Sequence, residues 1–329
     1  MNSLLFENQA SQSYVIVCLQ IDDCFLTGLI HAYGKRGLYD DMWRTFNTMR
    51  TVGIPPDEFT YRSLVKAYAR GGLFNRMHKT IREMTSNDIY PDSATMNVVV
   101  LSYAEAGLVE EMEKFYRITR EYGFNGHYQT IKAMVTTYAR KSLFFQLGQF
   151  VKSVGMKRRT MGNFLWNTLL LSYAANFAMN HLEEEFENMK HAGFTPDLTT
   201  YNIMALAYGR MQQFWDLRVM ILTMQSEGIA PDLVTYGAVV DAFLQGKVQS
   251  KLPDALAELR TIDLVAEIAT DPLVFEVFGK GNLHVACETL VKNMQGGDKN
   301  QRTYKNLIGY YLQSLDDSRY VPGRGRHWY

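Results

Sequence analysis

The stretch TPDLTTYN at residues 195–202 returns as APDLVTYG at residues 230–237, and the related phrases PPDEFTYR and YPDSATMN begin at residues 55 and 90. All four starting positions are separated by multiples of 35 residues. A proline cannot continue a helix, and the aspartate after it can accept hydrogen bonds from the backbone N–H groups of a helix that starts there. The phrase therefore predicts a junction at which one helix ends and the next begins.

The period of 35 residues runs through most of the chain. Three series of eight positions, each spaced by 35 residues, show this. The first series holds only aromatic residues, the second only apolar residues, and the third only apolar or aromatic residues. Hydrophobic residues make up 47% of the sequence, so eight consecutive matches in each series exceed chance. A fixed period of this size is typical of a solenoid. The series are Tyr33, Tyr68, Tyr103, Tyr138, Tyr173, Tyr208, Phe243 and Phe278; Leu29, Leu64, Val99, Met134, Leu169, Met204, Val239 and Val274; and Phe46, Ile81, Tyr116, Val151, Phe186, Ile221, Leu256 and Val291.

Each period contains two helical patterns. In TYRSLVKAYAR at 60–70, Tyr61, Leu64 and Tyr68 share one helical face, Gly71 follows as a helix stop, and a second stripe begins at Met77. One such hairpin cannot bury both of its faces, so neighbouring hairpins must stack. We predict an all-α fold, a right-handed α-α superhelical solenoid of about eight 35-residue helix-turn-helix repeats. We interpret the aromatic series as packing, together with the methionines that recur at residues 49, 84, 189, 224 and 294.

The period also sets the predicted domain boundaries. An N-terminal extension or cap covers residues 1–22, a capping helix covers 301–315, and a basic tail covers 316–329. The eight repeats between them are 23–57, 58–92, 93–127, 128–162, 163–197, 198–232, 233–267 and 268–300.

Composition excludes several classes of protein. The 34 basic residues balance 34 acidic ones, so a nucleic-acid site has to come from local charge. The three cysteines form no CxxC pair, which indicates a reducing compartment without a disulfide framework. No apolar run is long enough to span a membrane. No Lys or Arg precedes Lys35, so no transit peptide is visible; either none is needed or the presequence is missing from this chain.

We expect no enzymatic activity, no cofactor and no metal. The sequence has no Walker loop, nucleophile elbow or carboxylate cluster. The His-Leu-Glu sequence at 181–183 matches half of a zinc deaminase motif, but no cysteine lies near it. The seven histidines show no metal-ligand spacing.

The period, the turn and the helical patterns resemble those of pentatricopeptide repeats, the helical hairpins of organellar RNA-binding proteins. The segments TYNIMALAYGR and ILTMQSEGIAPD, within residues 200–232, are similar to the family pattern, as are FTYRSLVKAYARGGLF and IREMTSNDIYPD within residues 59–92. The resemblance covers about 280 residues and is weakest over residues 233–300. The chain resembles the P-class of these proteins, which is the plant organellar type without an appended catalytic domain.

The resemblance implies that the fifth and last residues of each repeat read RNA bases, one base per repeat. Thr27 with Asp57 resembles a guanine reader, and the Asn–Asp pairs of the fifth and sixth repeats resemble uracil readers. Asn97 favours a pyrimidine, but His127 and Arg62 depart from the family pattern, and the fourth, seventh and eighth repeats offer no readable pair. The implied recognition sequence is G-N-pyrimidine-N-U-U. The implied RNA base-reading residues are Thr27, Asp57, Arg62, Asp92, Asn97, His127, Asn167, Asp197, Asn202 and Asp232.

A structural alternative stays open for these residues. The aspartate of each Pro-Asp turn is also a good helix-start residue, and an asparagine is unremarkable on an exposed helix face. Phe59 and Phe164, each second in its repeat, either stack on bases or pack in the core.

A second series places cations near the end of the first helix in five of the eight repeats. We predict that these residues contact the RNA backbone: Lys35, Arg70, Arg140, Arg210 and Lys280. If all of them bound phosphates, the slope of log K against log salt would be about −3.5. The alternative is that the helix dipole alone favours a cation at this position.

The resemblance implies a protein that binds single-stranded RNA in plastids or mitochondria. It would act in RNA processing, splicing, stability or translation by occupying a segment of a transcript. The alternative is a protein-binding scaffold in an organellar ribosome or transcription complex. Few readable repeats suggest modest specificity, helped by a protein partner or by dimerisation on RNA. We expect no membrane partner.

Overall fold

The computed structural model describes residues 22–156, 159–259, 262–268, 272–293 and 302–316. Nearly all of the expected N-terminal cap and of the basic tail, and also Met294, lie outside these residues. The described residues form 17 α-helices and two short 3-10 helices and contain no β-strand. The predicted all-α helical-repeat fold is confirmed.

The helices are α1 (Asp23–Arg36), α2 (Tyr39–Thr51), α3 (Glu58–Arg70), α4 (Phe74–Ser86), α5 (Ser93–Glu105), α6 (Val109–Glu121), α7 (Tyr128–Arg140), α8 (Phe144–Val154), α9 (Phe164–Ala175), α10 (Met179–His191), α11 (Leu198–Arg210), α12 (Phe214–Ser226), α13 (Leu233–Gln245), α14 (Leu252–Ala257), α15 (Pro272–Phe278), α16 (Asn282–Asn293) and α17 (Tyr304–Asp316). We call the odd-numbered helices from α1 to α13 the first helices and the even-numbered ones from α2 to α12 the second helices. Several first helices start at multiples of 35 residues from one another, at residues 58, 93, 128, 198 and 233.

The Pro-Asp phrase marks the start of a first helix, as the sequence predicts. Asp57, Asp92, Asp197 and Asp232 have extended backbone angles, and each carboxylate accepts a hydrogen bond from the backbone N–H three residues later. These N···O distances range from 2.7 Å at Asp57 to 3.1 Å at Asp232. An N-cap of this kind contributes about 1 kcal/mol. Second helices end differently, in turns where a glycine such as Gly193 takes a left-handed backbone with φ of 80°.

Contacts within the chain divide it into two compact units, residues 1–137 and 138–329. In the first unit α1 packs against α2 and α3, and α3 packs against α4 and α5. Tyr61, Tyr68 and Tyr103 are completely or almost completely buried there. Members of the aromatic series therefore lie in the core, as the period predicts.

In the second unit α9 packs against α8, α10 and α11, and α11 packs against α12 and α13. One hydrophobic cluster extends from Trp166 on α9 to Tyr311 on α17. Met189 and Met224 are buried in it, so their recurrence reflects packing.

The chain departs from the period after α13. The helix α14 has six residues and α15 has seven, about half the length of the regular helices. The helix α15 lies against α9, whereas α16 packs against α13 and α17 packs against α16. The buried Asp241 of α13 holds α16 in place, because its carboxylate accepts a hydrogen bond from the Leu283 backbone N–H at 3.3 Å.

No helix in the described part of the chain is both long enough and apolar enough to cross a membrane.

Candidate nucleic-acid interface

Three polar side chains meet where α9 approaches the start of α11. The Asn167 side-chain nitrogen donates to Asp197 Oδ1 at 3.0 Å, and the Thr200 hydroxyl donates to Asn167 Oδ1 at 2.7 Å. Burial alone would raise the pKa of Asp197, but hydrogen bonds from Thr200, Asn167 and Asn163 outweigh it and lower that pKa. The carboxylate therefore stays ionised and orients the asparagine.

The same arrangement recurs one repeat later. The Asn202 side-chain nitrogen donates to Asp232 Oδ1 at 3.0 Å, and the Thr235 hydroxyl donates to Asn202 Oδ1 at 2.6 Å. An amide group offers two N–H donors and an oxygen with two lone pairs. Each asparagine uses one of each here and keeps one donor and one lone pair, but the side chains are buried rather than on an exposed helix face, at 6% exposed for Asn167 and 4% for Asn202. The capping role and the base-reading role of these aspartates are thus compatible.

The first unit brings its predicted pairs together less directly. Thr27 and Asp57 are linked through Thr60, whose hydroxyl donates to Asp57 at 2.6 Å and lies 2.8 Å from the Thr27 hydroxyl. Asn97 accepts a hydrogen bond from the His127 backbone N–H at 2.9 Å. The His127 side chain is exposed, so it is the backbone of that residue that meets the asparagine.

The off-pattern pair of the second repeat is an ion pair. Arg62 lies 3.5 Å from Asp92 and also pairs with Glu58 of its own helix. Burial tends to raise the pKa of Asp92, but hydrogen bonds from Thr95 and the nearby charges of Arg62 and Lys66 lower it overall. An arginine at the fifth position thus neutralises the last residue of its repeat.

The cations Lys35 and Arg70 of the predicted backbone series are exposed in the first unit, on α1 and α3. They lie close to His31 and Lys66: burial and the charges of Lys35, Arg70 and Lys66 all lower the pKa of His31. The His31 ring is also 5.7 Å from the ring of Phe59. We call His31, Lys35, Lys66 and Arg70 the basic face. Among the residues that the structure describes, its three cations form no ion pair.

Sequence reasoning overlooked two members of the basic face. His31 lies four residues after Thr27 and four before Lys35, and Lys66 lies midway between Arg62 and Arg70. Residues four apart share a helical face, so this spacing could have identified both. Phe59, which the sequence left between stacking and core packing, is 51% exposed.

The cations of the second unit are occupied by contacts within the chain. Arg140 donates two hydrogen bonds to Glu276, at 2.8 and 3.1 Å, and Lys280 pairs with Glu288. The Arg210 guanidinium lies 5.1 Å from the ring centre of Phe278 and 4.6 Å from that of Phe177, and its burial lowers its pKa. The predicted series is therefore not an open row of cations in this unit.

A cavity of about 180 Å³ lies beside the Asn167–Asp197 pair. Phe164, half-buried, lines it from α9, and Leu273 and Val274 line it from α15. In the described residues no group of three or more His, Cys, Asp or Glu side chains could hold a metal ion. The polar, charged and aromatic side chains at these surfaces can donate and accept hydrogen bonds, pair with opposite charges and stack.

The repeats match a known family. The model of the PPR repeat family matches residues 23–70, and the model of the PPR repeat matches residues 59–89 and 94–124. The matched segments are pentatricopeptide repeats. The matched residues lie in the first unit, where the helical hairpins follow the period closely.

Relatives of this pentatricopeptide repeat chain include a chloroplastic pentatricopeptide repeat-containing protein of Arabidopsis thaliana. The two are 27% identical over 172 residues, which is 52% of this chain and 34% of the relative. The chain thus spans about a third of the length of the curated relative that it matches.

Solved structures of the maize pentatricopeptide repeat protein PPR10 are also similar. One, in complex with an 18-nucleotide psaJ RNA element, is 17% identical with a TM-score of 0.39, covering 98% of this chain and 59% of PPR10. Another PPR10 structure, described as from maize, is 18% identical with a TM-score of 0.34, covering 95% of this chain and 55% of that one.

Proposed function

We propose that this pentatricopeptide repeat chain binds single-stranded RNA. The basic face supports the proposal most directly. It gathers His31 and three cations on α1 and α3 although the sequence as a whole has 34 basic and 34 acidic residues. Nucleic-acid binding by a neutral protein needs such a local concentration of positive charge. The exposed Phe59 beside it offers a surface on which a base can stack.

The Asn–Asp–Thr contacts support base selection by the second unit. Asn167 and Asn202 are each held by a carboxylate and a hydroxyl, so their amides have fixed orientations. A fixed amide can distinguish base edges, since it presents a donor and an acceptor in a set order. We propose that these two residues prefer uracil and that Thr27 with Asp57 prefers guanine.

We further propose an organellar role, in a plastid or a mitochondrion. The Arabidopsis relative is named as a chloroplastic protein, which favours an organelle over the cytosol. A chain that occupies a segment of a transcript protects it from nucleases or keeps it unfolded. Processing, splicing, stability and translation of organellar RNA are each served by such occupancy.

The test is the affinity for a short single-stranded RNA, measured by fluorescence anisotropy over a salt series. The variant Lys35→Ala/Lys66→Ala/Arg70→Ala should reduce the magnitude of the log K against log salt slope by about 2, since each lost phosphate contact removes about 0.7. The matched control is Arg82→Ala/Lys114→Ala/Arg117→Ala, which removes three exposed cations from second helices. An equal loss in both variants would contradict the proposed site.

A protein-binding scaffold is the second candidate, because a helical segment already lies on the first helices of the second unit. The apolar residues Leu273 and Val274 of α15 meet α9 there. A surface that accepts one helical segment can accept a partner's. The absence of RNA binding even at low salt would favour this candidate.

A further inference from the structure

We propose that α15 is an intramolecular occupant of the RNA site in the second unit and that RNA must displace it to bind there. The inference rests on the proposed function. It deepens that function by naming a contact that regulates it.

The position of α15 is the first argument. Its residues contact two of the side chains predicted to meet RNA in this unit and share a cavity with a third. Glu276 pairs with Arg140, Phe278 lies over Arg210, and Val274 lines the cavity that Asn167 also lines. No other described helix of this unit makes contacts of this kind with all three.

The chemistry of these contacts resembles that of a nucleic acid. One oxygen of Glu276 accepts two hydrogen bonds from the Arg140 guanidinium, as a phosphate oxygen can. The Phe278 ring lies against the Arg210 guanidinium, as a base can. The helix thus offers an anion to Arg140 and an aromatic ring to Arg210, whereas their counterparts Lys35 and Arg70 form no ion pair among the residues that the structure describes.

The polar attachment of α15 is weak, and its apolar contacts hold it in place. A helix of seven residues is not stable alone, so α15 depends on its contacts. The Arg140 side chain is 65% exposed, and an exposed ion pair contributes little to stability. The other anchors are apolar: Val274 and Phe278 are 2% and 6% exposed, and Leu273, Phe275 and Val277 are partly buried against the same core. A ligand that binds only the uncovered surface meets a reduced apparent affinity, set by the fraction of molecules in which α15 is displaced.

The experiment compares Glu276→Ala with Glu258→Ala as a matched control. Glu258 forms a similar ion pair with Arg218, and the side chains of Glu258 and Glu276 are both 27% exposed. The Glu258 pair lies elsewhere, because it joins the second helix α12 to the end of α14. Both variants remove one carboxylate and release one arginine. Fluorescence anisotropy with a short single-stranded RNA that contains two adjacent uracils should give at least a fivefold tighter Kd for Glu276→Ala and no change for Glu258→Ala.

A second readout follows α15 itself. Hydrogen exchange at residues 272–278 of the unmodified chain should accelerate when the same RNA is added. A double variant, Val274→Ala/Glu276→Ala, should bind at least as tightly as Glu276→Ala, with circular dichroism confirming that the helical content is kept.

The outcomes separate the two proposals. RNA binding with equal affinity for both glutamate variants, together with unchanged or slower exchange at 272–278, would overturn the role of α15 and leave the proposed function intact. If neither the unmodified chain nor any variant binds RNA at low salt, the proposed function fails, and this inference fails with it.

Discussion

Asn202 and Asp232 lie 30 positions apart in the sequence and 3.0 Å apart in the structure, measured from the asparagine nitrogen to the carboxylate oxygen. The contact joins the first helix of one repeat, α11, to the start of the next first helix, α13. The same carboxylate caps α13 through the backbone N–H groups of Val234 and Thr235. One aspartate therefore serves the fold and the proposed site together.

The first prediction concerns this shared carboxylate. Asp232→Ala should lower the free energy of unfolding by about 1–2 kcal/mol, because it removes the cap of α13 and leaves a buried amide with an unpaired N–H. Urea denaturation followed by circular dichroism measures the change. Asp22→Ala is the matched control, because Asp22 caps α1 at 2.8 Å from an exposed position without an asparagine partner. The prediction is wrong if the control loses as much stability.

The second prediction concerns base preference. The variant Asn167→Ala/Asn202→Ala should lose its preference for an RNA with the pattern G-N-Y-N-U-U over the same RNA with both uracils changed to guanine. The loss follows because alanine presents neither donor nor acceptor to a base edge. Competition anisotropy at fixed salt measures the ratio of the two dissociation constants. Unchanged selectivity in the double variant would show that the asparagines act only in packing.

The third prediction concerns the buried Asp241. Burial raises its pKa to about 7, and hydrogen bonds from Leu283 and Asn282 only partly oppose this. The folded state therefore holds a proton that the unfolded state has already lost, and stability falls as pH rises between the unfolded and folded pKa values. The loss is on the order of 4 kcal/mol, at 1.36 kcal/mol for each unit of pKa.

Asp241→Asn should remove most of that dependence while keeping an oxygen that accepts from Leu283. Urea denaturation at pH 5 and pH 8 provides the comparison, with Asp254→Asn as a control at an exposed carboxylate of α14. The variant should be more stable than the unmodified chain at pH 8. If the variant keeps the same fall in stability with pH, Asp241 is not its source.

The fourth prediction compares two glycines of α1. A Cβ added to Gly34 would lie 2.8 Å from the Ala67 Cβ of α3, whereas one added to Gly28 would meet nothing within 4 Å. Gly28→Ala should therefore stabilise the chain by up to about 1 kcal/mol through helix propensity. Gly34→Ala should destabilise it by about 1–3 kcal/mol through overpacking between α1 and α3. Thermal unfolding of the two variants tests the contrast, which fails if both substitutions shift Tm in the same direction.

The regular helices were predictable from sequence because each carries its own local signals. Asp197 and Asp232 follow a proline and cap the next helix, and Gly193 ends a second helix. These interactions lie within a few residues of each other, so the sequence displays them directly. The predicted repeat boundaries stay a prediction, and after α13 the described helices α14 and α15 are short and leave the period.

The placement of α15 was not predictable from the period. Val274 and Phe278 fall on the apolar and aromatic series, and both are buried, as the period requires. Apolar spacing records that a side chain is buried and not which neighbour buries it. Phe278 is buried against Arg210, and the partner of Glu276 is 136 residues earlier in the chain. A contact between residues so far apart in the sequence cannot be predicted from the residues around either of them.

The contact between Asn202 and Asp232 also limits how the proposed base preference of this chain can change. A substitution at the fifth position of a repeat that alters the preferred base also removes a support of the neighbouring first helix. A change of base preference therefore requires a chain that stays folded after losing this contact, or a second substitution at the start of the next helix. The same constraint applies to protein engineering. To change the base preference, the contacting asparagine, aspartate and threonine should be substituted together.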